Sequence, residues 1–176
     1  HRIDGRRHRG ACSADPVSGR RAISVVGAVP GLGSALVSGE AVADTWRVDL
    51  GGKIVDRSVE SKSVMHLPDA AAPDGIRTLP VPPERTAAPA LADAQVREVA
   101  RLARQAEAHF GRPQDIEWTL RGTEFFLLQS RPITALAERP GTDTTKQAFL
   151  AVEDNPIRRF RKKYPSREKV QQVAAR

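Results

Sequence analysis

The chain has 176 residues, is 40% apolar and 28% charged, and carries a formal net charge of +7. That length suits one domain of ordinary size, and no apolar run approaches the ~20 residues that a membrane-spanning helix needs. The single cysteine, Cys12, excludes an internal disulfide framework or a cysteine-based zinc cage and points to a reducing interior such as the cytoplasm.

The positive charge lies at the ends. Residues 1–10 carry +3 and residues 138–176 carry +5, whereas the segment between them carries −1. A nucleic-acid-binding domain is expected to present its basic stripe on the folded body, so this distribution argues against nucleic acid as the body's partner. The cluster Arg158-Arg159-Phe160-Arg161-Lys162-Lys163 reads either as a solvated tail or as a contact for RNA or an acidic surface.

In chain order, residues 1–10 read as a basic, disordered leader, being too polar to pack. Ile23-Ser24-Val25-Val26, ahead of Gly27, predicts a buried strand, and Pro30-Gly31-Leu32-Gly33 a turn. Thr45–Leu50 alternates with period two, meets Gly51-Gly52 and resumes at Lys53–Arg57, the pattern of a tight hairpin. Six prolines between residues 67 and 90 predict a surface loop. Asp93 is positioned to cap a helix over 93–110. Its Val96, Val99, Ala100, Ala103, Ala106 and Phe110 recur at three and four, and Gly111 ends it. His109, near that end, reads as a packing or capping residue. Residues 136–176 are expected to be a flexible or helical basic tail.

The second hairpin, 114–120 returning as 124–132, carries the chemistry. With a three-residue loop at 121–123, Leu120 faces Glu124, Glu117 opposes Leu127 and Asp115 opposes Gln129. Period-two geometry then sends Asp115, Glu117, Gln129 and Arg131 to one side, and Ile116, Trp118, Phe126 and Leu128 to the core. Such a polar face is either the solvated side of a half-exposed sheet or a site. As a site, Glu117 and Gln129 supply hard oxygen ligands for magnesium and Arg131 supplies a cation for phosphate oxygens. Phosphoryl transfer draws on both. The resulting fold class is α+β, an antiparallel sheet with the 93–110 helix packed on one face.

The run Phe110-Gly111-Arg112-Pro113-Gln114-Asp115-Ile116-Glu117-Trp118, followed by Leu128-Gln129-Ser130-Arg131-Pro132-Ile133-Thr134, closely resembles the end of an ATP-grasp nucleotide-binding domain. The family is that of phosphoenolpyruvate synthase, pyruvate phosphate dikinase and rifampicin phosphotransferase. Ser13–Gly19 and Gly31–Gly39 look like further blocks of that domain in the same order, so the resemblance covers roughly 11–135. It implies that Glu117 and Gln129 hold magnesium and nucleotide phosphate, that Asp115 is the acid beside the transferring phosphate, and that Arg131 contacts phosphate. Mg2+ and ATP are the implied cofactors, and Gly31 and Gly33 form either a turn beside the nucleotide or a plain structural turn.

Family members phosphorylate a histidine on a separate domain, from which phosphate passes to pyruvate or an antibiotic. The family often has Glu where Gly27 and Ser34 stand here. Its phosphate-binding lysine, lid and phosphohistidine block have no counterpart in this chain, and none of His1, His8, His66 or His109 has the setting of that block. The expectation is therefore a partial ATP-grasp domain, a truncated piece with weak or absent catalysis alone. The other functional class open to the sequence is a non-catalytic binding protein that uses its basic tail.

Overall fold

The computed structural model describes residues 7–134. They form β1 (Arg7–Cys12), β2 (Ile23–Pro30), α1 (Ser34–Val37), β3 (Asp44–Asp49), β4 (Ile54–Ser58), β5 (Val64–Pro68), β6 (Ile76–Pro80), α2 (Asp93–Phe110), β7 (Gln114–Arg121) and β8 (Glu124–Pro132). Six strands make one antiparallel sheet in the order β4-β3-β2-β1-β7-β8, and β5 pairs with β6 in a separate ribbon. The α+β class stands. The basic tail over 136–176 and the start of the leader lie outside the described residues.

The leader requires a correction, because residues 7–10 belong to β1, a central strand bonded to β2 on one edge and β7 on the other. Backbone hydrogen bonds on both edges are satisfied whatever side chains the strand carries, so polarity at these positions does not exclude them from a sheet. The proline-rich segment is corrected too. It holds the β5/β6 ribbon, with Pro68 and Pro80 as last residues of their strands, where a missing N–H costs little.

One face of the sheet is covered by α2. Val96, Val99, Ala100, Ala103 and Ala106 are buried against Val26, Trp46, Ile116, Trp118 and Leu120. The expected stripe fails only at Phe110, which is 47% exposed. The helix starts one residue earlier in capping terms than Asp93 suggests. Ala92 is the N-cap, its N–H donates to the Gln95 side-chain oxygen at 2.9 Å, and Asp93 instead pairs with Arg57 of β4. Gly111, at φ +70°, closes the helix by donating its N–H to the Glu107 carbonyl at 2.8 Å. His109 is exposed in the last turn of α2 and meets Phe110 edge to face, 4.7 Å between ring centroids. Among the described residues no helix is long and apolar enough to cross a membrane.

The β3/β4 hairpin forms as its sequence pattern indicates. The β7/β8 hairpin forms in a different register. Its loop is Gly122-Thr123 alone, with Arg121 facing Glu124, Leu120 facing Phe125 and Trp118 facing Leu127. The ladder then shifts, and Glu117 opposes Gln129 while Asp115 opposes Arg131. Leu128 is the extra residue of a bulge, and one inserted residue reverses the facing of everything beyond it. Phe125 and Leu127, both half-buried, therefore pack against the core under α2 where Phe126 and Leu128 were expected; Phe126 is buried as expected but lies outside that cluster, and Gln129 and Arg131 still share a side with Asp115 and Glu117.

Candidate functional site

The face of the sheet opposite α2 holds an open cleft of about 690 Å³. Its floor comes from the two central strands. Gly10 and Cys12 of β1 and Val25 and Gly27 of β2 line it, with Thr45 of β3 beside them. Two glycines on adjacent strands leave the floor bare at those two positions. At Gly10 a Cβ would already stand 3.4 Å from Asp115 Oδ1 and from the Ile116 carbonyl. Leu32, Gly33, Ser34 and Val37 form the opposite lip.

The charged wall is the β7/β8 hairpin. Arg131 Nη2 lies 3.2 Å from Asp115 Oδ2 and 3.6 Å from Glu117 Oε1, so one guanidinium nitrogen serves both carboxylates. All three residues line the cleft. Arg131 is 56% exposed, so these ion pairs are solvent-screened and the guanidinium can turn to a bound anion at small cost. Asp115 Oδ1 also meets the Cys12 Sγ at 3.8 Å. Gln129 is partly buried beside Glu117 on the same side of the ribbon but is not among the cleft-lining residues. The direct Glu117–Gln129 pairing brings their strand positions closer than the diagonal relation expected from sequence.

This donor set is compatible with a magnesium ion. Among the described residues no three His, Cys, Asp or Glu side chains gather into a metal cage. Magnesium does not require one, since it usually takes one or two protein carboxylates and fills its octahedron with water and phosphate oxygens. Glu117 offers such a carboxylate next to an open volume, with the Gln129 amide paired beside it and Asp115 as a second acid on the same side.

Two buried carboxylates that the sequence pattern did not single out lie near the cleft residues in the chain. Asp15 is almost fully buried beneath the 15–19 turn. It accepts hydrogen bonds from Val17 N–H at 2.9 Å and Ser18 Oγ at 2.7 Å, and Arg47 Nε lies 3.5 Å away. Burial pushes its pKa up, but the Ser18 hydroxyl, the two backbone N–H groups and Arg47 outweigh that and hold it below the ordinary 3.8. The other is Asp44, at the start of β3 between the cleft residues Ala43 and Thr45. Its buried carboxylate accepts from Lys62 Nζ at 2.6 Å, Glu60 N–H at 2.9 Å and Ala90 N–H at 2.7 Å. Partners 16 to 46 residues apart leave no local signal in sequence.

The sequence profile of the pyruvate phosphate dikinase AMP/ATP-binding domain matches residues 10–150. The rifampicin phosphotransferase of Streptomyces sviceus is 42% identical over 142 residues, which is 80% of this chain and 16% of that protein. The Bacillus subtilis rifampicin phosphotransferase is 38% identical over 141 residues, again 80% of this chain and 16% of the relative. The probable phosphoenolpyruvate synthase of Methanothermobacter thermautotrophicus is 37% identical over 126 residues, 70% of this chain and 18% of its own length. The chain thus spans under a fifth of each of these relatives, and it belongs to the family of the pyruvate phosphate dikinase AMP/ATP-binding domain.

Proposed function

We propose that this chain is part of an ATP-grasp nucleotide-binding domain, the part that holds Mg-ATP against the β7/β8 wall. The observation that carries the reading is the convergence of Asp115, Glu117 and Arg131 on one side of a cleft whose floor is bare at Gly10 and Gly27. The two bare positions let a ligand approach the backbone closely, and the wall supplies both signs of charge that a metal-triphosphate needs.

In this reading Glu117 and Gln129 hold the magnesium ion, which when bound neutralises phosphate charge. Arg131 leaves its carboxylate partners to meet phosphate oxygens, and Asp115 stands beside the phosphate that transfers. The activity served is an ATP-dependent phosphotransferase of the phosphoenolpyruvate synthase and rifampicin phosphotransferase type. Phosphate would pass to a histidine on a partner domain, then to pyruvate, an antibiotic or another small acceptor. The reducing setting consistent with one cysteine is the cytoplasm. Alone, the chain offers one wall of a site, and weak or absent turnover is expected because catalysis needs the substrate enclosed and oriented.

Isothermal titration with Mg-ATP tests the proposal. Sub-millimolar affinity that falls at least about tenfold in Glu117→Ala/Gln129→Ala supports it. Affinity unchanged in that double variant removes both residues from the site.

A further inference from the structure

The lip of the cleft opposite the charged wall is braced from behind by one histidine that does not itself face the cavity. His66 sits in the middle of β5 and is 6% exposed. Its backbone carbonyl accepts the Leu32 N–H at 2.7 Å. Its ring Nδ1 shares a hydrogen bond with Ser34 Oγ at 2.9 Å. Its Nε2, buried and without a hydrogen-bond partner, faces the Glu40 carboxylate at 3.4 Å.

The loop is fitted to this residue from the other side as well. Gly31 has φ +78°, and a Cβ there would stand 2.3 Å from the His66 carbonyl oxygen. The backbone of the loop thus passes over His66 where only glycine fits. The next residues, Leu32, Gly33 and Ser34, line the cleft. α1 is a single turn, with little stability of its own, and its first residue is the Ser34 that His66 holds.

We propose that His66 is a positioning residue, which fixes the Gly31–Ser34 lip over the cleft and thereby sets the affinity of the site for its nucleotide. The nucleotide part rests on the function proposed above; the loop-fixing part does not. The backbone carbonyl bond survives any substitution, so the ring's contribution is carried by its bond with Ser34 Oγ, with Glu40 lying beside Nε2.

Two measurements on the full chain test this separately. Amide exchange over residues 32–38 is compared among wild type, His66→Ala, Ser34→Ala, the double variant and His66→Asn. Loss of one buried hydrogen bond should speed exchange about fivefold in either single alanine variant. The double variant should be no faster than the worse single, because both remove the same bond. Asparagine, which places a polar atom near the Nδ1 position, should restore protection. Exchange unchanged in both alanine variants, additive effects, or no rescue by asparagine overturns the inference. Ser34→Ala keeps β5 intact and decides the matter if His66→Ala does not fold.

Mg-ATP titration of the same proteins should show affinity falling about fivefold in the alanine variants and recovering in His66→Asn. A wild type that binds no Mg-ATP counts against the proposed function, and amide exchange then decides the loop-fixing role by itself. A wild type that binds, with Ser34→Ala binding equally well, counts against His66 and leaves the function standing.

Discussion

Removing the carboxylate of Asp44 is expected to cost the domain more than any other single truncation of a polar side chain. Asp44 is 0% exposed, and Lys62, to which it is paired, is 1% exposed. In Asp44→Ala the Glu60 and Ala90 N–H groups lose their acceptor, and a buried ammonium keeps only the Glu60 carbonyl at 2.7 Å. Breaking a buried pair by deleting one partner costs about 3–5 kcal/mol. At roughly 2–4 °C per kcal/mol for a chain of this size, the melting temperature should drop by about 6–20 °C. Urea unfolding monitored by Trp46 and Trp118 fluorescence measures it, as a lower midpoint with unchanged slope. Asp44→Ala/Lys62→Met should recover part of the loss, since an apolar side chain tolerates the site that an unpaired charge does not. A single variant within 1 kcal/mol of wild type, or a double variant less stable than Asp44→Ala, would refute the reasoning.

Three further outcomes are expected. Asp15 has a folded pKa below its unfolded value, so its stabilising contribution is complete above 3.8 and is lost as pH falls through the lower folded value. Acid unfolding followed by circular dichroism should show Asp15→Asn less stable than wild type at neutral pH, with the difference shrinking below pH 3.8. Gly31→Ala must place a β-carbon in a left-handed conformation and against the His66 carbonyl, and should lose at least about 1–2 kcal/mol together with Mg-ATP affinity, read by thermal melting and titration. Arg131→Ala should leave the melting temperature within a few degrees, because its ion pairs are exposed, yet weaken Mg-ATP binding about tenfold or more, since hydrogen bonds to charged groups contribute about 1.5–3 kcal/mol.

What the sequence made legible was whatever depended on local period. The α2 stripe, the Gly51-Gly52 turn and the sidedness of Asp115 with Glu117, and of Gln129 with Arg131, all follow from spacing along a single element. The bulge at Leu128 was not legible, because nothing in Leu127-Leu128 says which of two leucines is the inserted one. The polar face kept its side only because the shorter loop and the bulge each shift the register by one residue in the same direction, and a total shift of two restores the facing. β1 was hidden by its arginines, since a central strand normally announces itself with apolar residues. The bracing of the cleft lip by His66 and the pairing of the buried Asp44 depend on partners brought together by the tertiary fold, which periodicity does not report.

The central claim is that a divalent cation and a triphosphate meet on the β7/β8 wall of the cleft. Replacing Mg2+ with paramagnetic Mn2+ in the presence of ATP, and recording amide resonances of the full chain, locates the cation directly. Selective broadening at Gly10, Asp115, Glu117, Gln129 and Arg131, lost when ATP is omitted, is the predicted result. Broadening centred on the α2 face, or equal broadening of exposed acids across the molecule, would contradict it.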